Sequence, residues 1–184
     1  MKFIIQGGKT LKGEISVSGA KNAALKIFPV ALLTDEPIKV SNVPEIEDVF
    51  RAQEMLTALG HEAKKTGKGT FELKFSAKGA KNRKGIDLPI DLVNRFRASI
   101  VFVGPALARF GQVKFPHPGG CVLGAGMRSI DEFIDGFKKM GAKISVSENF
   151  YHLSAKKLKG AEIFFRKVTV TATESLMMTA CLAD

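Results

Sequence analysis

Three places in this 184-residue chain carry side chains suited to chemistry. The first is Pro118-Gly119-Gly120-Cys121-Val122-Leu123-Gly124, which sets one of the two cysteines among Gly and Pro. Gly loses much backbone entropy on ordering and Pro lacks a donor, so this segment is neither helix nor regular strand. A thiol on an accessible loop is available for chemistry; the plain alternative is a turn with an incidental Cys. The second place is Lys21-Asn22, which opens a long apolar run. The third is Arg97, which opens another. A helix beginning at either point presents free N–H groups and a positive dipole end, and so favours phosphate or carboxylate. The planar donor fork of Arg97 suits the same anions. The plain alternatives are a solvated Lys21 beside an Asn N-cap, and an ion pair from Arg97 to Asp91 or another nearby acid. Arg95 and Arg109 read as surface or structural residues. Cys181, among Leu176, Met177, Met178 and Leu182, reads as core. His61, His117 and His152 show no metal-ligand spacing.

The elements that must position these residues repeat at a period of roughly 75 residues. One unit begins at Asn22-Ala23-Ala24-Leu25 and passes through Pro37-Ile38-Lys39-Val40. The next begins at Arg97-Ala98-Ser99-Ile100 and passes to Gly111-Gln112-Val113-Lys114-Phe115. A third begins at Thr171-Ala172-Thr173-Glu174. Each full unit then carries an amphipathic helix, Glu47 to Gly60 in one and Ile130 to Gly141 in the other, with a glycine where the helix should end. A strand pair follows: 62–65 with 70–75, and 142–146 with 151–154. The order is helix, strand, helix, strand, strand. The first helix of a unit is apolar almost all round and should be buried; the second has a charged face and should lie outside. Such units would pack around their buried helices with the sheets outward. Residues 2–6 and 13–17 alternate like a hairpin and precede the first buried helix. The chain thus reads as a fragment: two full units and the start of a third.

Bulk properties narrow the classes. Hydrophobic residues make up 45% and charged ones 25%, an ordinary globular balance. Two distant cysteines form no disulfide framework, so a reducing, cytoplasmic setting is expected. No apolar run is long enough to span a bilayer, and the N-terminus is not a signal peptide. The net charge of +10 favours an anionic partner. The lysines are spread along the chain, Trp is absent and Tyr occurs once, which is poor for stacking on single strands. A phosphate-bearing small molecule is therefore preferred over nucleic acid.

The motifs Ser18-Gly19-Ala20-Lys21-Asn22-Ala23-Ala24-Leu25, Arg97-Ala98-Ser99-Ile100, Gly104-Pro105, Ala108-Arg109-Phe110-Gly111 and Pro118-Gly119-Gly120-Cys121 resemble the enolpyruvyl transferases, in order and over the whole chain. Within them the match is to the branch acting on UDP-N-acetylglucosamine; the shikimate 3-phosphate branch lacks the cysteine loop. The resemblance implies an α/β fold, an inside-out α/β barrel of repeated units. Residues 1–20 would belong to a second domain and residues 21–184 to the first, with the active site in the cleft between them. It implies transfer of the enolpyruvyl group of phosphoenolpyruvate to the 3-hydroxyl of UDP-N-acetylglucosamine, releasing phosphate, in peptidoglycan precursor synthesis. Neither metal nor organic cofactor is implied, nor nucleic acid or membrane. Lys21, Asn22 and Arg97 would lie at the substrates. Cys121 would act as general acid or as covalent nucleophile, the target of fosfomycin. Relatives place an Arg-Pro pair soon after Gly124; here a two-residue insertion would make Arg128 the displaced arginine. Arg128, Ser129, Ile130 and Asp131 would hold the nucleotide, as would Lys167, Val168, Thr169 and Val170, whose plain alternative is an edge strand. The fragment alone is expected to be inactive without the C-terminal half of the enzyme.

Overall fold

The computed structural model describes residues 2–75, 84–117 and 130–184. Six α-helices and seven strands occur among them: α1 Lys21–Val30, β1 Ile38–Val40, α2 Glu47–Ala58, β2 Glu62–Gly67, β3 Thr70–Lys74, β4 Ile86–Asp87, α3 Ile90–Arg95, α4 Ile100–Phe110, β5 Gln112–Pro116, α5 Asp131–Lys139, β6 Lys143–Val146, β7 Phe150–Ser154 and α6 Val170–Ala180. A short 3-10 turn, Arg97–Ser99, leads into α4.

The expected repeat is present. In each unit the strand after the apolar helix pairs antiparallel with the last strand, which pairs antiparallel with the middle one. The sheet orders are β1-β3-β2 and β4-β5-β7-β6. Period-two alternation buries one sheet face: Phe71 and Leu73 of β3 are buried while Glu72 and Lys74 are exposed. Gly60 and Gly141 end α2 and α5 with φ of 88° and 90°, a conformation glycine adopts without a Cβ penalty. Two elements leave no signal in the sequence. β4 is two residues long and α3 lasts little more than one turn, too short for a periodic signal. β4 runs parallel to β5.

The apolar helices form the interior. Every residue of α4 from Ile100 to Leu107 is buried, as its pattern requires. α2 and α5 pack outside it on one face: Val49, Ala52, Met55 and Leu56 are buried in α2, and Phe133 and Phe137 in α5. An edge-to-face contact of Phe28 on Phe71, 5.4 Å between centroids, joins α1 to the first sheet.

Four expectations are corrected. α1 is not buried all round: Ala23 is exposed and Lys26 reaches Glu174 of α6 in an ion pair. α6 leaves Met177 63% exposed. Cys181 is exposed rather than core, because it follows α6 on the flank away from Ala172, Ser175 and Thr179; its Sγ donates to the Met177 carbonyl. The hairpin at residues 2–17 does not form; residues 2–20 hold no strand. Phe3, Ile5, Ile15 and Val17 are nearly fully exposed. A lone hairpin is marginal in water without a surface to cover its apolar side, and nothing packs on this one. The fold is mixed α/β with helices inside and two open sheets; no closed sheet occurs among the described residues.

Candidate functional site

The three apolar helices point the same way. Arg109, in the last turn of α4, ion-pairs with Asp35 just beyond α1. Gly111 O, past the end of α4, accepts Ala155 N at 2.8 Å, and Asp184 N, past the end of α6, donates to Leu158 O at 3.0 Å. Their C-terminal ends therefore lie together. At 1.5 Å per residue the N-terminal ends lie about 15 Å from there, on the opposite side of the core. Lys21 and Asn22 begin α1, Arg97 sits in the turn that opens α4, and Thr169 is the N-cap of α6. Lys21, Asn22, Arg97 and Thr169 thus lie toward the same end of the helical core, each at a helix entrance with a positive dipole end.

Each side chain has its own setting. Lys21 and Asn22 are exposed, and Lys21 ion-pairs with Asp48 in the first turn of α2. Arg97 is half-buried. Thr169 Oγ1 accepts from Ala172 N at 3.4 Å, and Thr173 Oγ1 donates to Thr169 O at 2.9 Å, so this segment is a helix entrance and not an edge strand. Lys167, Val168 and Val170 are exposed before and at that entrance, Val168 almost completely. Ile130 is the N-cap of α5 and Asp131 its first residue.

These last two groups are brought together by a residue that sequence reasoning passed over. Arg166 donates its main-chain N–H to Glu132 at 3.2 Å and pairs through its guanidinium with Glu132 and Asp135. It thereby ties the Lys167–Val170 stretch to the start of α5. Its signal was weak: an arginine beside two phenylalanines in an extended run. Asp48 was missed for the same reason, being one acid among several on an outward helix. Cys121, Arg128 and Ser129 lie outside the described residues, so their relation to this end is not part of the structure.

Two hollows lie elsewhere. One of about 760 Å³ sits on the polar face of the second sheet, lined by Lys84, Asp87, Lys114, Lys143 and His152. The other, about 290 Å³, lies beside α6 between Met140, Phe165 and Leu176. Neither is lined by the helix-entrance residues. The helix-entrance group is the stronger candidate because helix dipoles and cations lie at that end. Arg109 and Arg95 have structural roles. Arg109 lies over the Phe75 ring at 4.7 Å, and Arg95 donates to the Asp91 carbonyl at 3.2 Å. His117 packs edge-on against Tyr151, whose hydroxyl is pushed above its usual range by burial and then by the charge of Asp131. Among the described residues no group of His, Cys, Asp and Glu is arranged to hold a metal ion, and no helix is long and apolar enough to cross a membrane.

Known proteins resemble this chain along its whole length. The family profile of EPSP synthase (3-phosphoshikimate 1-carboxyvinyltransferase) matches residues 5–184. A UDP-N-acetylglucosamine 1-carboxyvinyltransferase of Desulfatibacillum aliphaticivorans is 42% identical over 183 residues, covering 100% of this chain and 42% of that protein. The fold resembles the enolpyruvyl transferase NikO from Streptomyces tendae, with a TM-score of 0.75, 21% identity and coverage of 96% of this chain and 40% of that one. It also resembles EPSP synthase from Acinetobacter baumannii, with a TM-score of 0.69, 16% identity and coverage of 97% and 40%. The chain thus spans about two fifths of the length of these relatives. With the family profile matched almost end to end and the close relative aligned throughout, the chain belongs to the enolpyruvyl transferase family.

Proposed function

We propose that this chain is the part of a UDP-N-acetylglucosamine 1-carboxyvinyltransferase that supplies its phosphate-binding helix entrances and its cysteine loop. The reaction moves the enolpyruvyl group of phosphoenolpyruvate to the 3-hydroxyl of UDP-N-acetylglucosamine and releases phosphate. The observation that carries this reading is the identity of 42% to a relative of that name, along the whole chain. The placement of Lys21, Arg97 and Thr169 at the entrances of the three apolar helices supports it.

In this reading Lys21, Asn22 and Arg97 hold the phosphate and carboxylate of phosphoenolpyruvate by charge and N–H donors. Ile130, Asp131 and the Lys167–Val170 stretch, held to one another by Arg166, take the nucleotide with Arg128 and Ser129. Cys121 brings a thiol to the three-carbon unit, as general acid or as covalent nucleophile. Residues 1–20 join a second domain, which gives the exposed Phe3, Ile5, Ile15 and Val17 a surface to cover them. The longer protein closes the inside-out barrel around α1, α4 and α6, faces the helix entrances across a cleft, and works in the cytoplasm on peptidoglycan precursors.

Calorimetric titration tests the substrate. UDP-N-acetylglucosamine with phosphoenolpyruvate is expected to bind saturably to the chain extended to its full length. Binding of shikimate 3-phosphate instead would favour the second reading, which the name of the matching family profile motivates. Fosfomycin is expected to alkylate that extended protein at Cys121; an adduct mapped to another residue by mass spectrometry would remove the loop from the site. Salt-dependent binding of arbitrary DNA without sugar-nucleotide binding would replace both readings with a nucleic-acid one.

A further inference from the structure

The first turn of α1 holds no acidic residue, and its N-cap, Ala20, makes no side-chain capping bond. The carboxylate that meets Lys21 comes from another helix: Asp48, in the first turn of α2. Main chain brings the two together. Gly19 lies so close to the Asn42 carbonyl that a Cβ there would stand 1.6 Å from the oxygen. Asn42 itself adopts φ 54°. Val43 N then donates to Gly69 O at 2.9 Å, and Glu45 accepts from Gly69 N at 2.8 Å and pairs with Lys65 at 2.7 Å. Lys65 and the Gly69 N–H hold the Glu45 carboxyl below its ordinary range. One knot of backbone therefore sets the entry of both helices and aims Lys21 at Asp48.

The pair stays within reach of solvent, with side chains 53% and 34% exposed. An exposed ion pair is weak. Asp48 also has a second partner available. α2 starts at Ile46 without a side-chain cap, so its leading N–H groups lack intrahelical acceptors and favour a carboxylate. A phosphoryl dianion is a stronger competitor for an ammonium than a carboxylate monoanion.

We propose that Asp48 is the built-in counter-ion of Lys21. In the ligand-free protein its carboxylate occupies the ammonium; an arriving phosphoryl group takes the ammonium, and Asp48 falls back on the entrance of its own helix. This rests on the reading that Lys21 meets a phosphate-bearing substrate. Asp48 acts through Lys21 and is a positioning residue; no covalent bond changes.

The test is titration of phosphoenolpyruvate into the 184-residue chain at fixed low salt, read by calorimetry, with folding checked by circular dichroism. D48N removes the competing charge and is expected to tighten binding about two- to fivefold, the weight of an exposed ion pair. Should D48N fail to fold, D48S, which can cap α2, takes its place. D48E, which keeps the charge, is expected to restore the wild-type affinity. In a K21M background the D48N gain is expected to vanish, a result that a merely structural aspartate would not produce. Wild-type binding left equal or tighter than that of D48N overturns this inference alone. Absence of binding by both proteins overturns it together with the reading of Lys21. Binding by D48N where the wild type shows none supports it.

Discussion

At the scale of single residues the strongest anomaly is His61. It is 3% exposed, lies 5.1 Å from the Phe75 ring edge-on, and neither ring nitrogen has a hydrogen-bond partner among the described residues. Burial first, and the positive Arg109 second, pull its pKa from 6.5 to about 4, while Asp35 opposes them weakly. The sign follows. Above pH 6.5 both folded and unfolded states hold a neutral ring. Below it the unfolded chain takes a proton that the folded one refuses until about pH 4, so stability falls as the pH drops between those values. At about 1.4 kcal/mol per unit, a shift from 6.5 to about 4 makes the full loss about 3 kcal/mol. His61→Leu is expected to flatten that part of the stability–pH curve in urea unfolding and to leave stability at pH 8 level or higher, because an unpaired polar group goes with the ring. A curve that keeps its slope in the variant would mean another group titrates there.

At the scale of elements the contact between α4 and α6 decides the core. Gly104 lies so close to α6 that a Cβ would stand 2.1 Å from Thr179 Oγ1 and 3.0 Å from the Ser175 carbonyl oxygen. Gly136 of α5 lies on α6 too, but its crowding atoms are the Leu176 methyls, 2.3 Å and 2.8 Å from a built Cβ. The short Thr179 side chain, its hydroxyl bonded to the Ser175 carbonyl at 2.7 Å, cannot swing aside as a leucine tip can. Gly104→Ala is therefore expected to cost about 2–3 kcal/mol and Gly136→Ala about 1 kcal/mol, an order that denaturant midpoints would check. The helix and strand order was legible beforehand because it rests on local period and glycine stops. Which flank of α1 or α6 is covered was not, since that depends on distant neighbours. Hence Ala23 and Cys181, apolar by pattern, are exposed, and α3 and β4 were too short to leave a signal.

At the scale of the whole molecule the first twenty residues stand apart. Ile4, Ile5, Leu11, Ile15 and Val17 are each 87% exposed or more, an apolar load that no part of the described fold covers. Removing residues 2–17 is expected to leave the melting temperature within about 2 °C and to reduce self-association, since no core contact is lost. A large fall in melting temperature would show that the segment packs on the helical core. The 184-residue chain by itself is expected to show no carboxyvinyl transfer, because the helix entrances face no opposing wall among the described residues. Phosphate release above background with both substrates present would contradict this. The basic surface is expected to make binding of any phosphorylated ligand weaken with salt.

The candidate site divides the same way. Lys21, Asn22 and Arg97 stand out in the one-dimensional text, because each marks where an apolar run begins and a helix entrance is a local event; Thr169 enters only through the resemblance. The partners that orient them, Asp48 and Arg166, were invisible there: nothing in an isolated acid or arginine says which helix will stand beside it. The period, the repeat and the residue types at each entrance are set by backbone and side-chain preferences within a few residues, and so can be read in one dimension. Which way the three apolar helices run, which flanks stay wet and which charges meet depend on packing between segments far apart in the chain, and so emerge only in the folded molecule.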